Sequence, residues 1–398
     1  YGLPRFWDWL TWSFLASLLF ISLAAMNYGW MVLLLFRLAL RPPNEALCSP
    51  AFVQFSSMQL PKVSCLSRAK TTLTMSKQTP WQERTVEVTR QISTSSIQKY
   101  QLSCKIFNPH LLDTSVSSLS GAPLVVIHGG PGLPSDYLLP LADNDTFSNR
   151  AILFYDQLGC GLSSAPNDIA AYSVHLSIND LEVIISTLLG SHKFHLYGHS
   201  YGGMLAYEYL RLMAERSQTE DEDDSTFAVS PNQCLSVILS STPTSISESD
   251  KSQNDIMMEL LAQDPSKITL DERFRLRCQC RTPAVPEPLL NAFRKAGKIW
   301  AGTDVVSEFE CLQPSTTKRL SSSAKMPSVR IMRGEYDFIT EDMMTLWRTG
   351  GFFNHHSVQE TVFKGGSHFC LLEKGQEYRK VIESFLVEND LNKHEPRA

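Results

Sequence analysis

The chain of 398 residues predicts an α/β fold with a mostly parallel central sheet, helices on both faces and an inserted helical segment. Three observations carry this. Short apolar runs of strand length recur at 123–128, 151–155, 193–197, 234–239, 328–332 and 359–363. Stretches with helical apolar spacing lie between several of them. The rhythm breaks once, over 243–325, and then returns. Buried parallel strands read as short, nearly continuous apolar runs, and alternation with helices covers such a sheet on both sides.

Taken in order, residues 9–36 carry no charged side chain. As a helix they would measure about 42 Å, against a hydrocarbon core of roughly 30 Å. Trp9, Trp12, Tyr28 and Trp30 suit membrane interfaces, and Arg37, Arg41, Lys62, Arg68 and Lys70 follow. Read as an anchor, the segment leaves the remainder of the chain on the cytoplasmic side. Two other readings stay open. One is a cleaved signal peptide, although the apolar run continues past Ala24 and Ala25. The other is a non-native upstream extension, because the chain opens on Tyr1 and Met75, a plausible natural start, stands just before the first strand-like stretch. The expected organisation is a hydrophobic segment at 1–41, a linker at 42–79, a sheet domain at 80–242 and 326–398, and a helical cap at 243–325.

Within the sheet domain, 85–92 alternates polar and apolar residues and 100–107 is rich in strand formers, so the pair predicts an opening hairpin. Ile178, Leu181, Ile184, Ile185 and Leu188 form a helical stripe over 177–189. Helices are also expected over 201–214 and 373–387. The interruption contains helix-like stretches at 256–261, 270–277 and 288–298.

The composition is that of an ordinary globular protein, with 43% hydrophobic and 19% charged residues and a net charge of −5. No basic stripe points to nucleic acid. The acidic run from Glu220 to Asp224 reads as a solvated loop. Nine cysteines without framework spacing suggest free thiols in a reducing compartment. Cys278 and Cys280 are too close and too isolated for a zinc knuckle, and His192 with His195 straddles a strand start instead of sharing a helix face. The sequon at Asn144 decides nothing. No metal and no cofactor are expected.

The chemistry centres on Gly198-His199-Ser200-Tyr201-Gly202, with Gly203 following. This motif follows an apolar strand and precedes a helix, the setting of a nucleophile elbow in the α/β-hydrolase fold. The sharp turn demands small neighbours and exposes the serine hydroxyl at a helix amino terminus, where negative charge is favoured. Ser200 is the expected nucleophile. A serine needs a base, and the base an orienting carboxylate. Asp337 and His368, each just beyond a strand, fit the chain order of this fold, with Glu335 and the pair His355 and His356 as runners-up. The oxyanion donors expected are the N–H groups of Tyr201 and of Gly130 or its neighbour, in the loop His128-Gly129-Gly130-Pro131-Gly132. His199 is expected to point away from the pocket.

That glycine-proline loop resembles the signature of the prolyl aminopeptidase family of α/β-hydrolases. Asp156-Gln157 followed by Gly159, Gly161 and Ser163 is similar to a second family stretch, and 198–204 to its nucleophile elbow. Trp300 through Glu308 and Phe309 loosely resembles a cap segment, with departed spacing. The resemblance covers about residues 80–390. It implies release of an amino-terminal residue, often proline, from small peptides or amino-acid amides. It also implies a cap carboxylate that binds the substrate ammonium, for which Glu308 is the candidate, with Gly129 contributing to substrate binding. A general esterase or amidase acting on a specialised small molecule is the alternative enzyme. A membrane-tethered interaction protein on an inactive hydrolase scaffold is the non-catalytic alternative.

Overall fold

The computed structural model describes residues 80–93, 96–113, 120–216, 233–263, 268–312, 327–353 and 358–391. All of them fall in the unit Ala51–Ala398. The hydrophobic segment at 9–36, the linker, the acidic run and His355 and His356 lie outside the described residues. Among the described residues no helix is long and apolar enough to cross a membrane.

The strands are β1 (Trp81–Ser93), β2 (Ser96–Phe107), β3 (Leu124–Ile127), β4 (Ile152–Tyr155), β5 (Phe194–His199), β6 (Cys234–Ser240), β7 (Ser328–Gly334) and β8 (Val358–Phe363). They form one sheet in the order β1-β2-β4-β3-β5-β6-β7-β8. The hairpin β1–β2 is antiparallel and joins β4 antiparallel; every other pairing is parallel.

The apolar runs are continuous because both sheet faces are buried. Along β3, Val125 and Ile127 belong to one core, while Leu124 and Val126 belong to the other. The same two-residue alternation splits Leu153 and Tyr155 from Ile152 and Phe154, and Val237 and Leu239 from Ile238. The first core is closed by the helices Val174–Leu189 and Tyr201–Arg216, through Leu181, Ile184, Leu205 and Tyr209. The second is closed by the helix Gly375–Leu391, through Tyr378, Ile382 and Phe385. Ser173 caps the first of these helices by accepting the Leu176 N–H, so the helix begins at Val174, three residues before the start expected at 177. The helix Glu341–Thr349 between β7 and β8 was not foreseen; it is held to the core by Met343, Met344 and Trp347.

One buried ion pair ties the hairpin to the sheet domain. Arg90 on β1 donates from Nη1 and Nη2 to the two Asp180 oxygens at 2.8 and 2.6 Å, and from Nε to the Ala171 carbonyl at 2.8 Å. Burial raises the Asp180 carboxyl pKa, while Arg90 opposes that shift. Removing only the cation strands a buried carboxylate. Arg90→Met is therefore expected to cost about 3–5 kcal/mol, and Arg90→Met with Asp180→Leu to regain most of it, as read from urea unfolding midpoints. A single variant as stable as the parent would show that the pair contributes nothing.

Between β6 and β7 the described residues hold the helices Ile246–Ala262, Leu270–Phe274 and Glu287–Arg294, a π turn at Arg275–Gln279 and a 3-10 turn at Thr303–Val306. Their only strand-like pairing is an isolated bridge between Ser245 and Glu310. The backbone of this insertion grips the loop after β3: Gly297 and Gly302 donate to the carbonyls of Gly132 (2.8 Å) and Pro131 (2.9 Å). Gly132 sits at φ +84°, and a Cβ there would lie 2.6 Å from the Trp300 carbonyl, so only glycine allows this approach.

Candidate active site

The chain runs from β3 to β4 on one side of the sheet and then to β5 on the other. That reversal opens a crevice at the carboxyl ends of β3 and β5, where ligands bind in open α/β sheets. The loop after β3 and the turn after β5 meet in it. β7 and β8 deliver their own following loops beside them.

Ser200 occupies the turn between β5 and its helix at φ +54°, a left-handed conformation that a non-glycine residue adopts at a cost. The turn is tight enough to dictate its neighbours. A Cβ at Gly198 would lie 2.4 Å from Gly203 Cα, and one at Gly203 would lie 2.0 Å from Thr242 Oγ1. The Ser200 N–H donates to the Ser240 carbonyl at 2.8 Å, which fixes the turn to β6.

His368 follows β8, and its ring is placed from three sides. Nδ1 lies 2.9 Å from Asp337 Oδ1. Phe338 stacks on the imidazole with centroids 4.1 Å apart. The N–H groups of His368 and Phe369 donate to the carbonyls of Cys278 and Gln279 in the π turn of the insertion. Asp337 is buried, and its Oδ1 also accepts the Ile339 N–H at 2.9 Å. Glu335, the runner-up acid, is exposed and accepts instead from the Gly365 N–H at 2.8 Å.

Ser200, His368, Gly129, Gly130 and Tyr201 line one cavity of about 60 Å³. Tyr201 opens its helix, so its N–H has no intrahelical carbonyl to meet. Gly130 stands at φ +119°. Gly129 lines the cavity too, but its N–H is taken by the Tyr137 hydroxyl at 2.8 Å, which leaves Gly130 as the oxyanion candidate of that loop.

Two expectations need correction. Glu308 is exposed and absent from the cavity lining, because Phe309 packs against the core and leaves its predecessor facing outward. His199 does not point away. It is buried, lines the cavity, and contacts both Tyr137 and His368. Burial, with the nearby His368, pushes its pKa down to about 3, so it is neutral.

The Asp156 stretch proves to be a brace. Asp156 Oδ1 accepts the N–H and hydroxyl of Ser135 at 2.9 and 2.7 Å, and Oδ2 accepts the Leu162 N–H at 3.1 Å. Gln157 donates from its backbone to His128 Nε2 at 2.9 Å and from its amide to the His128 carbonyl at 2.7 Å. A Cβ at Gly161 would lie 2.1 Å from Asp156 Oδ2. These bonds hold the loop that carries Gly130. His195 is likewise engaged, with Nδ1 2.8 Å from Ser236 Oγ and Nε2 3.2 Å from Asp390 Oδ1.

A family model for the alpha/beta hydrolase fold matches residues 122–375. The chain belongs to the α/β hydrolase fold family. As an α/β hydrolase it is similar to the proline iminopeptidase of Saccharolobus solfataricus, 27% identical over 291 residues that span 67% of this chain and 85% of that one. It is also similar to the proline iminopeptidase of Lactobacillus delbrueckii subsp. bulgaricus, 28% identical over 68% of this chain and 91% of the relative. Among solved structures, the proline iminopeptidase of Mycobacterium smegmatis superposes with a TM-score of 0.54 at 21% identity, covering 78% of this α/β hydrolase and 99% of that chain. VinJ superposes at 0.55 and 18% identity, covering 76% and 98%. The resemblance read in the glycine-proline loop and the elbow thus extends to whole relatives, and the protein is a hydrolase of this family.

Proposed function

We propose that this hydrolase removes an amino-terminal residue, proline-like, from small peptides or amino-acid amides through an acyl-enzyme. The carrying observation is that Ser200 and His368 line the same cavity, with His368 anchored on Asp337. In this reading Ser200 Oγ attacks the carbonyl carbon while His368 Nε2 takes its proton. Asp337 holds the Nδ1–H tautomer and stabilises the imidazolium. The N–H groups of Gly130 and Tyr201 receive the oxyanion. His368 then passes the proton to the leaving nitrogen, the C–N bond breaks, and water releases the acyl group by the same steps in reverse.

The size of the cavity supports a small acyl group, since about 60 Å³ is space for only a few water-sized groups. The names of the relatives support a free-amine substrate. With Glu308 outside and Asp337 committed to His368, a further acid beside the lining is Asp250. It is hydrogen-bonded to Thr303, and its Oδ1 accepts from Gln253 Nε2 at 3.4 Å; both partners line the cavity. With its nitrogen turned to Asp250, Gln253 has its side-chain carbonyl left for an ammonium. Asp250 supplies the charge behind it. The cap at 243–325 is, in this reading, the specificity element.

One observation favours the general esterase or amidase: among the described residues, none that lines the cavity is itself a carboxylate. A panel of chromogenic aminoacyl amides, proline included, beside their N-acetylated forms and simple acyl esters separates the two. The expected result is a kcat/KM at least about tenfold higher for free-amine substrates, erased in Asp250→Asn, because a charge-assisted contact is lost. Ester turnover with no gain from the amine would leave a general hydrolase.

A further inference from the structure

Four buried side-chain and backbone groups next to the nucleophile form a wire of three hydrogen bonds that the hydrolytic steps above do not use. The Gly129 N–H donates to the Tyr137 hydroxyl oxygen at 2.8 Å. That hydroxyl lies 3.0 Å from His199 Nδ1. His199 Nε2 lies 2.9 Å from the backbone carbonyl of His368. The last acceptor settles the direction of the rest. A carbonyl only accepts, so Nε2 of the neutral His199 carries the hydrogen and Nδ1 accepts from Tyr137. All three hydrogens therefore point the same way, from the loop after β3, through the residue preceding Ser200, to the backbone of the base.

We propose that Tyr137 and His199 are positioning residues that set the Gly129–Gly130 loop and His368 in register with Ser200. The inference rests on Ser200 and His368 being nucleophile and base. Both side chains are nearly inaccessible, at 1% and 3% exposure. Phe369 fixes their orientation, edge-on to Tyr137 at 5.2 Å and stacked with His199 at 5.7 Å. Two consequences follow from the geometry. Capture of the Gly129 N–H turns that donor away from the oxyanion and commits the loop to Gly130. Anchoring of the His368 carbonyl holds the backbone from which the base projects, while Asp337 holds the ring. The elbow, the oxyanion loop and the base come from the ends of three different strands, and this wire joins them.

A wire has a signature that separate packing contacts lack: cutting it once or twice has the same effect. Tyr137→Phe removes one oxygen and both of its bonds while keeping the ring. Turnover should be counted per competent site by titration with a fluorophosphonate, so that loss of folded protein does not register as loss of rate. The expected result is a kcat per site about 10–100-fold lower with KM within about twofold, the signature of misplaced catalytic groups. His199→Phe should fall as far, and His199→Gln, which keeps a donor toward the His368 carbonyl, should recover part of the loss. Tyr137→Phe combined with His199→Phe should be no worse than the more damaging single change. A kcat per site within twofold of the parent in Tyr137→Phe, or fold-losses that multiply in the double variant, would overturn the proposal. If Tyr137→Phe fails to fold, the order His199→Phe below His199→Gln decides alone, and equal turnover of the two overturns it. Ser200→Ala in the same series separates the premises. Retained turnover there would sink the hydrolytic reading itself. An inactive Ser200→Ala beside fully active wire variants would sink only the wire.

Discussion

Ser200→Ala is expected to lower kcat by about 10⁶ and to abolish labelling by fluorophosphonates, while leaving the fold intact. The size follows from the role. Without the oxygen no acyl-enzyme forms, and what survives is the contribution of the oxyanion donors and of binding. The fold should tolerate the change for a local reason. The strain at φ +54° is a backbone property shared by serine and alanine, and the anchoring bond from the Ser200 N–H to the Ser240 carbonyl does not involve the side chain. A near-parental thermal midpoint with lost turnover is the outcome that supports the role. Turnover within tenfold of the parent would remove Ser200 from the chemistry.

How much of this was legible in the sequence depended on the range of the interaction. The strands of the sheet could be read because burial on both faces makes each a compact apolar run, and Leu124 to Ile127 is entirely buried. The helix Glu341–Thr349 was missed because its apolar face is only Met343, Met344 and Trp347, too sparse a stripe to separate from a loop. In the site, Ser200, Asp337 and His368 each sit just past a strand end, so position along the chain marked them. Tyr137 carried no such mark. It lies in a 3-10 turn, and its partner His199 is 62 residues away. Nothing in residue type or spacing announces that contact. Glu308 failed for the opposite reason: a short motif match was taken as a position in space, whereas the turn before it faces Phe309 inward and the glutamate out. Gln253 and Thr303 belong to the insertion, where helix-like spacing says which segments coil but not which face meets the cavity.

Asp337→Asn carries the second large effect, a fall in kcat of about 10³–10⁴ with little change in KM. The two N–H groups that converge on Oδ1 explain why no orientation of the amide restores the site. If the asparagine oxygen keeps the Oδ1 place, it still accepts from His368 Nδ1 and from Ile339, but its NH₂ enters the place of Oδ2, which is buried and has no protein partner among the described residues. The negative charge that stabilises the imidazolium is gone as well. If the amide flips, its NH₂ confronts the Ile339 N–H and drives His368 to the opposite tautomer, with the hydrogen on Nε2, where it can no longer take a proton from Ser200. Glu335→Gln provides the contrast. Glu335 is exposed and spends Oε2 on the Gly365 N–H, so its loss should leave kcat within about twofold, as expected for a surface change. Steady-state rates for the two variants assign the acid directly. A severe Asp337→Asn beside a near-silent Glu335→Gln supports Asp337, and the reverse order would move the orienting carboxylate to Glu335 and require the loop after β7 to rearrange around His368.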